Sequence, residues 1–253
     1  MSEMSIAEPW PRRPRRLATA VVDELVDRLV SAEIPAGSSL PTEPVLCATF
    51  GVSRTVVREA VKSLEAMRLV TVQQGQGTRV RPLADWDLLN PLVLAAVIRH
   101  DAQLAILEDL VDVRIALEAQ MAGQAAARAD ADQRALISVR MTTLDAEVGD
   151  ATTYLRADVE FHDAIMAASG NRLGRAMIHT LQVEAYRSMR YVGDPTTEEM
   201  RLSNVAHRAV HDAVLARDAA AAEAAMRDHI IGSWHRRRPE AQRPEEAQTP
   251  EHR

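Results

Sequence analysis

The chain has 253 residues, which is long enough for one large domain or two of ordinary size. Hydrophobic residues make up 47% and charged residues 26%, a balance typical of globular rather than disordered proteins. Aromatic residues make up only 3%, while alanine, the strongest helix former, occurs in runs, and this argues against a mainly β fold. The net charge of −6 is unevenly distributed. Residues 1–82 contain 11 Lys/Arg and 9 Asp/Glu, whereas residues 83–253 contain 19 and 27, which indicates two units with different partners.

The composition also excludes several kinds of site. Cys47 is the only cysteine, so an intrachain disulfide and a cysteine-rich zinc site are impossible. The most apolar stretch, from Pro91 to Ile98, is too short to span a bilayer, and the N-terminus lacks the apolar segment of a signal peptide. We therefore expect a cytoplasmic protein without a membrane partner.

Both ends of the chain are predicted to be disordered. Residues 1–16 include the basic, proline-rich run from Pro9 to Arg16, which is either a solvated tail or an arm that contacts DNA. Residues 238–253 are charged and contain three prolines, which is typical of a frayed tail.

Residues 17–82 are predicted to form a winged helix-turn-helix. Ser53 is a good N-cap for a helix, and Gly51 suits the left-handed turn that precedes it. Gly75 and Gly77 allow a tight turn between two β-like runs. In chain order, the predicted elements are helices at 17–32, about 42–50 and 54–67, followed by strands at 69–73 and 78–80.

The remainder is predicted to be helical. Residues 83–101 contain Asn90-Pro91, a cap followed by a proline at the first helical position, and are expected to form a linker helix. Short connections between the later helices imply antiparallel neighbours, and hence an all-α bundle over residues 102–237. Its predicted helices lie at about 102–129, 131–149, 151–169, 171–192, 196–217 and 218–236. The fold class is therefore mainly α, with a small β-wing in the N-terminal unit.

The third predicted helix carries a basic face. Arg54, Arg58 and Lys62 are spaced i, i+4 and i+8, so they lie along about two turns of one side. In a helix-turn-helix protein, the start of this helix enters the major groove, where arginine binds guanine through two hydrogen bonds. The hydroxyls of Ser53 and Thr55, with the free amides at the helix start, suit phosphate. The alternative is a solvated basic face that is balanced by neighbouring glutamates.

The C-terminal unit contains residues that suit a metal ion. Asp158 and His162 are spaced i, i+4 and therefore project from one helix face. His207 and His211 share that spacing, and His229 belongs to the next helix. One carboxylate and several imidazoles suit Zn, Ni, Mn or Fe. The alternative for Asp158 and His162 is an ordinary pair on a helix surface.

The N-terminal motifs resemble the winged helix of the GntR family of bacterial regulators. The resemblance covers about residues 17–82 and rests on Leu40 to Glu43, Phe50 to Val61, Leu64-Glu65, Leu69-Val70 and Gly75 to Thr78. It implies that Arg54 and Arg58 read bases or phosphates, and that Gly75 approaches the minor groove. The further DNA contacts that it implies are Ser53, Thr55 and Gln74, with Lys62 on the same helix face.

Two positions depart from that family pattern. Pro44 stands where the family usually has an arginine, so one DNA contact is expected to be missing. Arg68 stands where the family usually has a glycine after the third helix. Arg68 must therefore adopt a costly left-handed conformation, or the helix must end differently.

Residues of about 102–235 resemble the FCD domain that follows the winged helix in the FadR subfamily of GntR regulators. The matching segments are Val113 to Glu118, Ala157 to Ile165, Ala168 to Asn171, His207 to Val210 and Ala224 to His229. Such domains are helical bundles, and many hold a metal by one aspartate and three histidines. The resemblance implies that the ligands here are Asp158, His162, His207 and His229. It leaves His211 outside the set, as a helix-face residue.

The resemblance also suggests an acidic effector. The linker from Trp86 to Pro91 is similar to that of FadR-like regulators of sugar-acid and hydroxy-acid catabolism. Arg114 could bind an effector carboxylate through two hydrogen bonds. The alternative for Arg114 is an ion pair with Asp112 or Glu118.

We therefore expect a dimeric, nucleoid-associated transcriptional repressor rather than an enzyme. It would bind a near-palindromic DNA operator, under the control of a small organic or sugar acid bound near a divalent metal of the Zn, Ni or Mn class. One alternative is a metal-dependent, hydrolase-like enzyme, although the chain has no His-Glu-x-x-His, Gly-x-Ser-x-Gly or glycine-rich phosphate motif. Another is a helical interaction module without a metal.

Overall fold

The computed structural model describes residues 13–73, 75, 77–187 and 194–237. It divides the chain into two compact units, of which the first ends at His100 and the second begins at Asp101. No helix within the described ranges is both long and apolar enough to cross a bilayer.

The first unit is a winged helix-turn-helix, as predicted. Its elements are α1 (Arg13–Val30), α2 (Glu43–Phe50), α3 (Arg54–Ala66), β1 (Val70–Gln73), β2 (Gly77–Val80), a 3-10 turn (Leu83–Asp85) and α4 (Pro91–His100). The expectation of a disordered arm over 1–16 is wrong for residues 13–16, which belong to α1. Pro14 lies in the first turn of α1, where its missing N–H breaks no helical hydrogen bond. Residues 1–12 and 238–253 lie outside the described residues.

Local residue chemistry fixes the ends of α2 and α3. Gly51 ends α2 in the left-handed conformation, with φ of 63°. The hydroxyl of Ser53 then accepts a hydrogen bond from the Val56 amide at 3.4 Å and caps α3. Val57 and Leu64 are fully buried on the inner face of α3, which packs against α1. Burial of this face leaves the opposite, basic face of α3 exposed.

Arg68 adopts the strained conformation that its departure from the family pattern predicts. Its φ is +60°, between the end of α3 and the start of β1. A left-handed conformation costs a non-glycine residue about 1–2 kcal/mol.

The wing is a two-stranded antiparallel hairpin. β1 and β2 pair from Val70 opposite Val80 to Gln73 opposite Gly77. Gly75 lies at the tip with φ of 79°, which a residue with a side chain rarely adopts.

The predicted linker helix over residues 83–101 is α-helical only over Pro91–His100. The Asn90 side chain accepts hydrogen bonds from the amides of Leu92 and Val93 and so caps α4. α4 packs against α1, where Asp27 pairs with Arg99 at 3.1 Å and with His100 at 2.9 Å. The predicted linker helix is therefore part of the first unit.

The second unit is the predicted all-helical bundle. Its helices are α5 (Ala105–Arg114), α6 (Gln120–Arg128), α7 (Ala131–Ala146), α8 (Ala151–Ser169), α9 (Arg172–Arg187), α10 (Thr197–Leu215) and α11 (Ala219–Arg237). A π-helical turn, Ile115–Ala119, joins α5 to α6. Ala122, Ala125 and Ala126 are buried on α6, and their small side chains let α8 and α11 pack closely against it. The candidate site lies in this unit.

Candidate metal centre and DNA-binding helix

The structure brings together the four residues that the FCD resemblance implies as metal ligands. Asp158 and His162 come from α8, His207 from α10 and His229 from α11. All four are buried, and each offers a ligand atom within 4.8 Å of those of the others.

The spacing of these atoms fits a single metal ion. The Nε2 atom of His162 is 3.2 Å from Nε2 of His207 and 3.2 Å from Nε2 of His229. Nε2 of His207 is 3.2 Å from Oδ1 of Asp158. Two ligands about 2.1 Å from one ion, at angles of about 90–110°, lie about 3.0–3.4 Å apart. Three imidazoles and one carboxylate are also a common donor set for divalent transition metals.

The protonation states suit metal binding as well. Burial disfavours the charged form of Asp158, but its hydrogen bond with His207 and the nearby histidines outweigh burial and lower its pKa. Burial lowers the pKa of His207 and of His229, which favours the neutral form of both rings. A metal requires an ionised carboxylate and neutral imidazoles, and these directions agree with that requirement.

Two of the clustered histidines have outer partners that the sequence did not predict as part of the site. Nδ1 of His162 lies 2.6 Å from Oε2 of Glu118. Nδ1 of His207 lies 3.5 Å from Oδ1 of Asn204, which also accepts a hydrogen bond from the Tyr154 hydroxyl at 2.7 Å. A partner at Nδ1 fixes the ring and leaves Nε2 for the metal. Nothing in the sequence pattern indicates that Glu118 is buried, because its π-helical turn departs from regular helical spacing.

Arg114 forms one of the ion pairs predicted as the alternative to effector binding. Its Nε donates to Oε1 of Glu118 at 2.6 Å, and both side chains are buried. Burial alone would raise the pKa of Glu118, but Arg114 and His162 lower it to about 2. Glu118 is therefore a carboxylate that is shared between Arg114 and a histidine of the cluster.

Arg114 also lines a narrow cavity next to the cluster, together with Asp158 and His229. The cavity wall carries two further guanidinium groups and three hydroxyl groups. These belong to Arg236, Arg237, Tyr154, Ser203 and Ser233. The carboxylate of Glu199 also lines the cavity. Three guanidinium groups therefore face two carboxylates and several hydroxyl groups beside the candidate metal centre.

His211 lies outside the cluster, as the FCD resemblance implied. It is buried, and its Nε2 lies 3.0 Å from the Ser138 hydroxyl on α7. Its Nδ1 lies 2.7 Å from Oδ1 of Asp212. The i, i+4 spacing of His207 and His211 therefore does not bring both rings to one site.

The predicted DNA contacts of α3 lie on its exposed side. Arg54, Thr55, Arg58 and Lys62 are exposed at the surface. Arg58 pairs with Glu43 at 3.0 Å, and Lys62 pairs with Glu59 at 3.1 Å. The Ser53 hydroxyl caps the helix, Gly75 is exposed at the wing tip, and Gln74 lies outside the described residues.

Sequence comparison extends the resemblance over most of the chain. Residues 17–80 match the bacterial regulatory proteins of the gntR family, and residues 109–232 match the FCD domain. The galactonate operon transcriptional repressor of Escherichia coli strain K12 is 30% identical over 219 residues, which cover 85% of this chain and 94% of that protein. This chain is a GntR-family protein with an FCD domain.

One further relative agrees with the assignment to the GntR family, and one solved structure agrees with the fold. The transcriptional repressor NanR of Salmonella arizonae is 30% identical over 245 residues, which cover 92% of this chain and 91% of that protein. A solved structure whose title states that Lar controls expression of the Listeria monocytogenes agr system matches with a TM-score of 0.53. The match covers 89% of this chain and 96% of the other chain at 13% identity, and it therefore supports the fold alone.

These findings confirm the predicted family and fold class. They also bear on the enzyme alternative, because the matched families and relatives are transcription regulators. Nothing found supports a hydrolase-like activity for the Asp/His cluster.

Proposed function

We propose that this GntR-family protein is a transcriptional repressor whose operator affinity is set by a small carboxylic acid bound beside a divalent metal. The observation that carries the proposal is the meeting of Asp158, His162, His207 and His229 at the edge of an arginine-lined cavity. The relatives named as repressors, one of them for a galactonate operon, support the direction of control.

In this proposal α3 reads the operator. Arg54 and Arg58 are one turn apart and exposed, which places two guanidinium groups for base or phosphate contacts. Gly75 at the wing tip lets backbone approach the minor groove. One winged helix makes few base contacts, so a homodimer on two half-sites would gain affinity and select a near-palindrome. The protein would then act at the bacterial nucleoid, in the cytoplasm.

The metal would be held by the four clustered side chains. A Zn, Ni or Mn-class ion suits these donors, and when bound it offers open coordination positions to an oxygen ligand. Asp158 contributes one negative charge against the two of the cation, so net positive charge remains to attract an anion.

The side chains that line the cavity favour an effector acid that carries hydroxyl groups, such as a sugar acid. The guanidinium groups of Arg114 and Arg236 line it and would attract a carboxylate. The hydroxyls of Ser203 and Ser233 on the same wall are suited to polar groups of the ligand. Control of DNA binding further requires that the acid bind one arrangement of the dimer more tightly than the other.

The first experiment tests the DNA-reading helix. A duplex is selected from a random library with the full chain, and its affinity is measured for Arg54→Ala combined with Arg58→Ala. We expect loss of sequence-specific binding, because each bidentate arginine–guanine pair contributes about 1–3 kcal/mol of discrimination. The matched control combines Arg201→Ala with Arg227→Ala, two exposed arginines of the second unit, and should bind normally. Equal affinities for both double variants would refute the assignment of α3.

The second experiment tests the effector class. Thermal unfolding of the full chain is followed with a panel of sugar acids and hydroxy acids, with and without a chelator. A ligand that binds only the folded state raises Tm. We expect at least one acid to do so, and its effect to shrink with chelator. Uncharged sugars that raise Tm where acids do not would overturn the proposed class.

A further inference from the structure

Three histidines of the cluster, His162, His207 and His229, each have an Nδ1 atom that can bind an outer partner. Among the described residues, Glu118 is the only charged partner of this kind. Its side chain is fully buried within the π-helical turn Ile115–Ala119. Oε2 lies 2.6 Å from Nδ1 of His162. Oε1 accepts hydrogen bonds from Nε of Arg114 at 2.6 Å and from Nε2 of Gln182 at 3.2 Å.

This carboxylate is held from three sides by residues of different elements. Arg114 comes from the end of α5, Gln182 from α9 and His162 from α8. A buried carboxylate is tolerated only where several donors satisfy it, and these three residues do so. A π-helical turn in a helix is a frequent feature of functional sites. A role in holding His162 therefore explains the buried Glu118 carboxylate better than packing alone does.

The other histidines have weaker outer partners. Nδ1 of His207 has only the 3.5 Å contact with Asn204, and Nδ1 of His229 has no hydrogen-bond partner among the described residues. A carboxylate can only accept a hydrogen bond, so Glu118 requires the proton of His162 to be on Nδ1. Nε2 of His162 then keeps its lone pair, pointed toward Nε2 of His207 and His229.

We infer that Glu118 is a positioning residue, which fixes the ring and tautomer of His162 for the metal and is itself held in place by Arg114. This inference rests on the proposed metal centre. It adds that Arg114, whose guanidinium group lines the proposed effector cavity, and His162 share the Glu118 carboxylate. Arg114 is therefore more than an effector contact, because it also supports the metal site.

The first test measures zinc affinity of the full chain by competition with a chromogenic chelator. We expect Glu118→Gln and Glu118→Ala to bind Zn²⁺ about 10–100-fold more weakly than the parent chain, which is the usual cost of losing such an outer partner. Glu160→Gln, on the same helix as His162 but in a partly exposed ion pair with Arg140, is the matched control and should bind normally. Unchanged affinity in both Glu118 variants would overturn the inference.

A double variant separates positioning from loss of the Arg114–Glu118 ion pair. Glu118→Gln alone breaks this buried ion pair, and that loss is expected to cost folding stability by itself. Arg114→Gln combined with Glu118→Gln removes both charges. We expect zinc affinity to remain at least about tenfold below that of the parent chain. Recovery of the parent affinity in the double variant would contradict a role through His162.

A spectroscopic measurement distinguishes this role from a purely structural one. Long-range ¹H–¹⁵N spectra of the metal-free, histidine-labelled chain report which ring nitrogen carries the proton. We expect His162 to be protonated at Nδ1 in the parent chain and to lose this preference in Glu118→Ala, whereas Glu160→Gln should be unchanged. The same tautomer in all three would overturn the inference. If the parent chain binds no zinc, or if Asp158→Ala binds zinc as well as the parent does, the metal centre itself is refuted.

Discussion

Removing the metal should destabilise the FCD unit by a measurable amount. The four candidate ligands come from three helices, α8, α10 and α11, so an ion bound to all of them binds only the folded state. Ligand present at 100 times its Kd stabilises the folded state by about 2.7 kcal/mol. Because each kcal/mol shifts the Tm of a unit of this size by about 2–4 °C, we expect a Tm loss of about 5–10 °C.

The assay compares thermal unfolding of the zinc-loaded chain with that of the chelator-treated, desalted chain, with metal content measured on each sample. Asp158→Ala and His207→Ala should remove the difference between the two samples. His179→Ala, an exposed histidine that pairs with Asp163, should keep it. Equal Tm values for loaded and stripped chain, with zinc shown to be present only in the first, would refute the reasoning. A full zinc-dependent shift in Asp158→Ala would refute it as well.

Three further predictions concern the first unit, and urea unfolding checks each. Arg68→Gly should stabilise the first unit by about 0.5–1 kcal/mol. Glycine adopts the φ of +60° without strain, and the strain that is relieved exceeds the larger conformational entropy that glycine loses on folding. A loss of stability would contradict this. Leu64→Ala should destabilise it by about 2–5 kcal/mol, because the side chain is fully buried against α1, and a loss below 1 kcal/mol would be inconsistent with that packing. The pKa of Asp27 is lowered chiefly by its hydrogen bond with His100. Asp27 therefore stabilises the folded state at pH values above the ordinary pKa of an aspartate, and this stabilisation is lost as the pH falls through the lowered pKa. Asp27→Asn should therefore cost at most about 1 kcal/mol at pH 7, and a difference that does not shrink as the pH falls below the ordinary range of an aspartate would count against this pairing.

Helix ends are the part of the fold that sequence determines most directly. Ser53 and Gly51 mark the boundary between α2 and α3 because a hydroxyl cap and a left-handed glycine each satisfy a local backbone requirement. Asp130 does the same for α7, through a capping box with Gln133. The start of α1 was missed, because a proline-rich, basic run suggests disorder while a proline in the first helical turn is compatible with a helix.

The site could be predicted only in part from the residues themselves. The i, i+4 spacing places Asp158 and His162 on one face, but the same rule applies to His207 and His211, of which only one joins the cluster. The choice of His207 over His211 came from the FCD resemblance, since tertiary packing decides which helix face lies inward. Glu118 was not predicted as part of the site because neither its burial nor the π-helical turn has a signal in the sequence.

The most direct test of the account is the operator affinity of the full chain with and without an acid that raises its Tm. Fluorescence anisotropy of the selected duplex gives Kd in both conditions, at one fixed salt concentration because phosphate contacts make binding salt-dependent. Coupling free energies between sites are typically about 1–3 kcal/mol, so we predict that the acid weakens operator binding by about 5–150-fold. An acid that binds the FCD unit and leaves operator affinity unchanged would contradict the account.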